Sequence, residues 1–331
     1  MSEPLTLERR GAVAIVAIND APYNRMTLDF MDELERVVDD LATDDSVRAL
    51  VITGAGTDNF SVGMNLKQMR DGIAAKGSID GVFDQRWRVL EKIERMGKPS
   101  VVTLFGYCLG GGLELPLACH FRLAADEGAQ IGLPEMDLGT VPAWGGLARL
   151  PRCVGRDHAL DMILRGKKIS GPEALRIGLV NEVWPLAELK DKAIALAEEL
   201  ASMPRLAVRA VLDCVIGAES KSLHDSLADE RRAVHANART ADAKEGMMAF
   251  MEKRKPVFNQ DVSASRPARL IAGGPDRAAD PGLWSGHEER QFLPAPWHKY
   301  PHQARAGRAG LKTCLPKGKS SRIGGGPHRT R

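Results

Sequence analysis

The first 260 residues predict an α/β fold, because short β-rich apolar segments alternate along them with amphipathic helical segments. Three of the apolar segments have the length and composition of strands, and an amphipathic segment separates the first two. At 331 residues, the chain is long enough to bury a large apolar core without disulfides. The alternation ends at about residue 260.

The first two strands and the helix between them follow from residue type and spacing. Residues 11–20 (GAVAIVAIND) and 47–56 (VRALVITGAG) are rich in the apolar and β-branched residues that favour strands. Thr27 is placed to cap the N-terminus of the intervening helix. The apolar side chains of this helix recur at intervals of three and four residues, at Leu28, Met31, Leu34, Val38 and Leu41.

A third strand is predicted over residues 99–107 (PSVVTLFGY), and three consecutive glycines follow it at 110–112. We expect a helix to begin directly after the glycines, despite Pro116. Glycine permits close approach of the backbone, and the first N–H groups of a helix point outward at the positive end of its dipole. This strand-to-helix junction is therefore suited to bind an oxyanion.

The remainder of the chain differs from this α/β part. After residue 155 the periodicity is mostly helical, and we expect an α-helical appendage. Residues 261–331 contain 10 Gly and 8 Pro and carry a net charge of +8, whereas residues 1–260 carry −5. We expect 261–331 to form a disordered basic tail rich in Gly, Pro and Arg.

Two acids stand out near the glycines. Glu114 lies among Leu and Ala residues, so its carboxyl group enters an apolar neighbourhood that favours the protonated form. Glu135 lies in a loop-like LPEMD segment and, taken alone, has the character of a solvated loop acid. The two residues together are the sequence's candidates for acid–base chemistry.

Four segments resemble, in order and spacing, the enoyl-CoA hydratase/isomerase or crotonase family. They are FSVGMNLKQM (60–69), GYCLGGGLEL (106–115), GLPEMDLGTVPAWGG (132–146) and EGMMAFMEKRKPVF (245–258). The resemblance covers roughly residues 5–260. It implies a crotonase-like spiral of ββα turns that forms two nearly perpendicular sheets, with a C-terminal helical trimerisation region. We accordingly divide the chain into a spiral core (1–200), the helical region (201–260) and the tail (261–331).

The resemblance also implies site residues and a reaction. The backbone N–H groups of Met64 and Gly111 correspond to the family's oxyanion hole, which binds the thioester oxygen. Glu114 and Glu135 correspond to two glutamates that hold a water molecule, Glu114 activating it and Glu135 exchanging the proton at Cα. Because both glutamates are present, we expect reversible syn hydration of a 2-enoyl-CoA to a 3-hydroxyacyl-CoA.

Further residues are candidates for substrate contacts. Trp144 stands where small residues are common in the family, and either lines the acyl pocket or packs in the core. Lys253 and Lys255 match basic residues that reach CoA phosphates, or form an ordinary basic helix C-terminus. The full set of candidates for binding the substrate is Asn24, Arg25, Val62, Lys67, Leu138, Trp144, Lys253 and Lys255.

The family resemblance leaves other reactions open. An isomerase, a hydratase-lyase or a dehydratase on an aromatic or carnitine-type acyl-CoA remains an alternative, as does an RNA-binding homologue that uses the basic tail. The tail lacks an RNA-binding signature, so we expect no nucleic-acid partner. The family assembles as trimers, commonly paired into hexamers, so we expect a homotrimer or homohexamer.

Composition and motifs exclude several classes of protein. No dinucleotide fingerprint, P-loop or GxSxG string occurs, and the eight histidines lack metal-ligand spacing. We therefore expect no metal, and the family resemblance implies no cofactor, with CoA entering only as part of the substrate. The five cysteines form no disulfide framework, and neither a signal peptide nor a membrane span is visible, so we expect a cytoplasmic protein.

Overall fold

The computed structural model describes residues 3–260, so the predicted tail lies outside the described residues. Within this range the chain forms eight strands and eleven α-helices. The strands are β1 Leu5–Arg10, β2 Val13–Ile18, β3 Ala49–Gly54, β4 Ser100–Leu104, β5 Tyr107–Leu109, β6 Phe121–Ala125, β7 Gln130–Gly132 and β8 Glu182–Trp184. The helices are α1 Leu28–Thr43, α2 Met69–Lys76, α3 Ile79–Arg95, α4 Gly111–Leu117, α5 Gly146–Val154, α6 Arg156–Leu164, α7 Gly171–Arg176, α8 Leu186–Ser202, α9 Arg205–Ala218, α10 Leu223–Asn237 and α11 Ala241–Glu252.

Six strands form the main sheet, in the order β1-β2-β3-β4-β6-β8. The strands pair in parallel except at the edge, where β1 runs antiparallel to β2. Every residue of β3 and β4 is buried, as expected for central parallel strands whose two faces are both covered. Only Leu5 of β1 is buried, so this strand is a polar edge.

A second, smaller layer gives the fold its repeating unit. β5 pairs in parallel with β7, and Ser61 forms an isolated parallel bridge with Cys108 of β5. After a strand in the main sheet, the chain thus passes through a short segment in the second layer before it enters a helix: β4, β5 and α4 follow one another in this way, as do β6, β7 and α5. This ββα succession confirms the predicted fold class.

The predicted α-helical appendage after residue 155 is wrong for its middle part. α8 is not an appendage, because one face of it is buried against the main sheet through Leu189, Ala193, Ile194 and Ala197. β8 also lies in this part of the chain and extends the sheet beyond β6. The small buried residues on α8 allow the helix to lie close to the strands, which integrates it into the core.

The last three helices are largely exposed. Each of α9, α10 and α11 buries at most two residues, and apolar side chains project from all three. α8 ends at Ser202, and both the boundary near residue 200 and the role of the following helices stay predictions. Among residues 3–260, no helix combines the length and apolarity needed to cross a membrane.

Candidate active site

Two backbone segments meet beside the N-terminus of α4. Ser61 and Cys108 lie side by side in parallel, with Ser61 N donating to Tyr107 O and Leu109 N donating to Ser61 O, at 3.0 and 3.1 Å. Two residues beyond Ser61, Gly63 has a φ of +88°, and a Cβ built on it would lie 2.6 Å from Leu109 O and 3.1 Å from Gly111 N. Only glycine fits this close approach.

The contact brings together the two predicted oxyanion-hole residues. Met64 follows Gly63 directly, and Gly111 is the first residue of α4, where the N–H has no intrahelical acceptor. In the described part of the chain, neither Met64 N nor Gly111 N donates to a backbone or side-chain acceptor. Two adjacent, unpaired donors, one of them at a helix N-terminus, are an arrangement that binds a negatively charged oxygen.

Glu114 lies one turn further along α4 and is only 2% exposed. Its Oε1 accepts two hydrogen bonds, from Trp144 N at 2.7 Å and from Gly146 N at 2.9 Å. Within residues 3–260 no donor reaches Oε2, which leaves this oxygen for a water molecule or substrate. The pKa of the Glu114 carboxyl is raised to about 7, mainly by burial and to a smaller extent by the nearby charge of Glu135, against the opposing effect of the two N–H donors.

Glu135 lies in a short 3-10 helix, Pro134–Leu138, rather than in the loop that the sequence suggested. Its carboxyl group is half-buried, and Oε2 is enclosed without a hydrogen-bond partner among the described residues. Oε1 lies 3.0 Å from the position of a Cβ built on Gly110, so the carboxyl group abuts the glycine that precedes α4. Burial raises the pKa of Glu135. A solvated loop acid has neither property.

Arg149 supports this arrangement, and the sequence analysis did not single it out. Its Nη1 donates to Trp144 O at 3.3 Å, while Nε and Nη2 donate to the two carboxylate oxygens of Glu94 at 3.2 and 2.9 Å. The guanidinium therefore fixes the loop whose N–H groups hold Glu114. Its positive charge also lowers the pKa of Glu114, partly offsetting the effect of burial.

Trp144 is part of the core and also lies beside the candidate site. The residue is 3% exposed, as its predicted packing role requires. A Cβ built on Gly111 would lie 2.6–3.0 Å from three atoms of the Trp144 six-membered ring. The ring thus covers the start of α4 beside the candidate oxyanion hole.

Asn24 and Arg25 have structural partners. Asn24 is fully buried, and its Nδ2 donates to Ala55 O and Asn59 O while its Oδ1 accepts from Asp20 N. Its amide is thereby fully engaged with the backbone, and this leaves no side-chain donor for CoA. Arg25 is partly exposed and forms a two-point ion pair with Asp20 through Nε and Nη2.

The other predicted binding residues lie at or near the surface. Val62 is half-buried next to Gly63, which places it at the junction of the two segments, whereas the Leu138 side chain is 64% exposed. Lys67 is exposed in the short 3-10 helix Leu66–Gln68. Lys253 and Lys255 are exposed at the end of α11, and neither forms an ion pair within residues 3–260. The structure brings none of these three lysines into contact with the two glutamates.

Ser61 is a second supporting residue that the sequence analysis missed. Its Oγ donates to Asn24 O at 2.6 Å and accepts from Gly63 N at 3.0 Å. The hydroxyl therefore shapes the turn that orients the N–H of Met64. Its position two residues before the motif glycine was the available signal, since serine commonly bonds nearby backbone groups.

The fold and the site define an α/β protein with a buried pair of carboxyl groups beside two backbone donors for a carbonyl oxygen. The family model for enoyl-CoA hydratase/isomerase matches residues 8–261. A probable enoyl-CoA hydratase of Bacillus subtilis is 38% identical over 249 residues, which cover 74% of this chain and 95% of the relative. A crotonyl-CoA hydratase of Syntrophomonas wolfei is 35% identical, over 77% of this chain and 98% of the relative.

Solved structures agree with the sequence relatives. An enoyl-CoA hydratase from Geobacillus kaustophilus matches with a TM-score of 0.74 and 31% identity, covering 78% of this chain and 97% of that one. An enoyl-CoA hydratase from Bacillus anthracis matches with a TM-score of 0.73 and 33% identity, covering 77% and 98%. The chain belongs to the enoyl-CoA hydratase/isomerase family.

Proposed function

We propose that this protein is an enoyl-CoA hydratase that catalyses the reversible syn addition of water to a 2-enoyl-CoA. One observation carries the proposal: Glu114 and Glu135, two carboxyl groups with raised pKa, flank the start of α4, where the unpaired N–H groups of Met64 and Gly111 lie. Relatives named enoyl-CoA hydratase, short-chain-enoyl-CoA hydratase and crotonyl-CoA hydratase, at 34–38% identity, support the same activity.

In the proposed reaction, the N–H groups of Met64 and Gly111 donate to the thioester oxygen. They stabilise the negative charge that this oxygen gains as the water oxygen bonds to Cβ, and such a donor typically contributes roughly 10²- to 10³-fold in rate. Glu114 Oε2 accepts a proton from the attacking water, while Oε1 stays bound to the backbone. Protonated Glu135 transfers its proton to Cα, and transfer of the proton from Glu114 to Glu135 restores the starting state.

The raised pKa values suit these roles. With a pKa of about 7, the Glu114 carboxyl is partly ionised at neutral pH and is a stronger base than an ordinary glutamate. The pKa of Glu135 is raised by burial, which increases the share of the protonated form that donates to Cα. No cofactor takes part in the proposed steps, because the thioester itself accepts the electron pair.

The direct experiment follows the enoyl-thioester absorbance of crotonyl-CoA and of longer and aryl-substituted 2-enoyl-CoAs in the presence of the protein. We expect loss of the absorbance with stoichiometric formation of the 3-hydroxyacyl-CoA. Conversion of a 3-enoyl-CoA to the 2-enoyl isomer without hydration would replace hydratase by isomerase. Binding of acyl-CoA without either conversion would point to another reaction of the family.

We also propose that the protein assembles as a homotrimer, or as a hexamer of two trimers, through α9–α11. Monomeric proteins rarely expose contiguous apolar patches. Exposed apolar side chains are nevertheless frequent on α9, α10 and α11, which follow one another along the chain. The most exposed of them, each between 60% and 76% accessible, are Val211, Val215, Leu223, Val234, Met247, Phe250 and Met251.

The trimer proposal has a matched test. Light scattering coupled to size-exclusion chromatography should give three or six times the monomer mass. Phe250→Asp should reduce this mass, because Phe250 is 74% exposed on α11 and a charge there opposes burial in an interface. Leu7→Asp, at an exposed position on the distant edge strand β1, is the control. If Phe250→Asp leaves the mass unchanged, α11 is not in the interface.

In such an assembly, Lys253 and Lys255 at the end of α11 lie next to the proposed interface and would contact CoA phosphates together with Lys67. Each Lys→Ala substitution should raise KM for crotonyl-CoA several-fold while kcat changes little, since the phosphates lie far from the reacting carbons. An unchanged KM in all three variants would remove these residues from the binding site.

A further inference from the structure

Arg86 is the largest fully buried side chain in the described part of the protein, with 0% exposure. It lies on the inward face of α3, four residues from both Val82 and Leu90, which are themselves buried. Arginine is almost never fully buried unless its charge is paired. The full burial of Arg86 among apolar residues is therefore unusual.

Only some of the N–H groups of the guanidinium form hydrogen bonds. Nη1 donates to Val82 O at 3.1 Å and to Gln85 Oε1 at 2.9 Å. Nε and Nη2 are buried and have no acceptor among residues 3–260. Because guanidinium stays charged in proteins, these two N–H groups form a buried cationic edge that lacks an anion.

Asp32 does not pair with this edge of the guanidinium. Asp32 attracts the guanidinium at longer range, but its side chain is 54% exposed and bonds Lys76 and Gln85. In the part of the chain that the structure describes, no carboxylate lies within ion-pair distance of Arg86.

The free edge has the geometry that recognises a carboxylate. Nε and Nη2 lie along one edge of the planar guanidinium and present two parallel N–H donors, the fork that binds both oxygens of a carboxylate. The same protein uses these two atoms in Arg25, whose Nε and Nη2 donate to Asp20 Oδ2 and Oδ1 at 2.6 and 3.0 Å.

The guanidinium is also one aromatic ring away from the candidate active site. Its Cζ lies 5.7 Å from the ring centroid of Trp144. The same ring packs on Gly111, and Trp144 N holds Glu114. The Trp144 ring therefore lies beside both the guanidinium of Arg86 and the start of α4, where the candidate oxyanion hole is.

We infer that Nε and Nη2 of Arg86 bind a carboxylate at the far end of the acyl chain, so that the substrate is the CoA monothioester of a short unsaturated dicarboxylic acid. This inference rests on the proposed function and narrows its substrate class. An anion suits this edge better than a neutral acceptor, because Asp32 offsets the buried positive charge only at longer range. Since Arg86 and Trp144 are both buried, binding of this carboxylate requires some of the packing around them to move.

Calorimetric titration of unreactive saturated thioesters tests the inference without depending on turnover. Glutaryl-CoA and pentanoyl-CoA have acyl chains of equal length and differ in the terminal carboxylate. The wild-type protein should bind glutaryl-CoA at least about 10-fold more tightly, because the carboxylate pairs two otherwise unpaired donors. Arg86→Met keeps an unbranched side chain of similar length and should reduce this preference below about twofold.

Arg88→Met is the matched control. Arg88 lies two residues further along α3, is half-exposed and pairs with Glu35 at the surface. Its loss should leave the preference for glutaryl-CoA intact. In turnover, glutaconyl-CoA should exceed 2-pentenoyl-CoA in kcat/KM for the wild-type and Arg88→Met proteins, and this order should be lost in Arg86→Met.

Equal binding of the two thioesters to the wild-type protein would overturn the inference and leave the hydratase proposal standing. So would a preference for glutaryl-CoA that persists in Arg86→Met. Failure of both thioesters to bind would overturn the hydratase proposal as well. If Arg86→Met does not fold, as judged by its circular dichroism, the wild-type comparison still decides between these outcomes.

Discussion

The backbone N–H of Trp144 donates a 2.7 Å hydrogen bond to Oε1 of Glu114. With the second bond from Gly146 N, it fixes one carboxylate oxygen and leaves the other free to bind water. The loop that carries the aromatic ring thus also orients the proposed base. Substitutions in this loop, or in residues that hold it, should therefore affect the chemical step more than the binding of CoA.

The burial of Glu114 should produce a measurable cost in stability. Because burial raises its pKa from 4.5 to about 7 in the folded protein, the folded state binds this proton more tightly than the unfolded state. The contribution to stability is present below pH 4.5 and is lost as the pH rises to 7. The stability of Glu114→Gln relative to wild type should therefore increase between pH 4 and pH 8, by up to ~3 kcal/mol.

Urea unfolding at several pH values measures this difference, and Glu127→Gln is the control because Glu127 is exposed in the β6–β7 turn. A difference between Glu114→Gln and wild type that stays constant with pH would contradict the raised pKa. The same variant should lose roughly 10²- to 10⁴-fold in hydration rate, as expected for removal of a general base.

The charge of Glu135 should be visible in the titration of Glu114. Since the nearby carboxylate raises the pKa of Glu114, Glu135→Gln should lower it from about 7. Carbon-13 NMR of labelled glutamate carboxyl groups follows this titration directly, and the Glu114→Gln spectrum assigns the resonance. An unchanged or increased pKa in Glu135→Gln would show that the two carboxyl groups are too distant to share one water molecule.

The sequence predicted which glutamates are candidates for the site better than it predicted how enclosed each of them is. Local neighbours were sufficient for Glu114, because Leu113 and Leu115 flank it and all three are buried on α4. The enclosure of Glu135 could not be predicted in the same way, because it depends on the approach of Gly110, which is distant along the chain. A loop-like segment was therefore expected to be more solvated than it is.

The strands and helices also differ in how far local sequence determines them. β3 and β4 are apolar throughout and could be predicted from composition, whereas β8 is three half-buried residues that become a strand only by pairing with β6. α8 has the periodicity of a surface helix, and only its contacts with the sheet show that it belongs to the core. Long-range pairing decided both cases, and local propensity carries no information about it.

Arg149 should affect Glu114 through the loop and through its charge. Arg149→Met removes the donor to Trp144 O and the positive charge that lowers the pKa of Glu114. We expect the pKa of Glu114 to rise above about 7, and kcat at neutral pH to fall about 10-fold while KM changes little.

The pH dependence of kcat tests this role, since loss of stability alone would not shift the acid limb of the profile. Arg152→Met is the control, because Arg152 is half-exposed and pairs with Glu219 at the surface. If the acid limb of Arg149→Met coincides with that of wild type, Arg149 supports the loop but does not tune the carboxyl group.

Gly111→Ala should show the contribution of the oxyanion hole to the rate separately from that of the two glutamates. A Cβ at this position would lie 2.6 Å from the Trp144 ring, so either the ring or the start of α4 must move. Displacement of the Gly111 N–H should reduce kcat by roughly 10²- to 10³-fold, as for loss of an oxyanion-hole donor.

Gly217→Ala in α9 is the control, because the nearest atom to its added Cβ is the flexible Nζ of Lys221 at 3.6 Å. The control should retain wild-type kcat and gain about 0.5–1 kcal/mol in stability, the usual difference between Ala and Gly within a helix. Steady-state hydration of crotonyl-CoA and thermal unfolding of both variants measure these effects, and wild-type kcat in Gly111→Ala would exclude its N–H as a donor to the thioester oxygen.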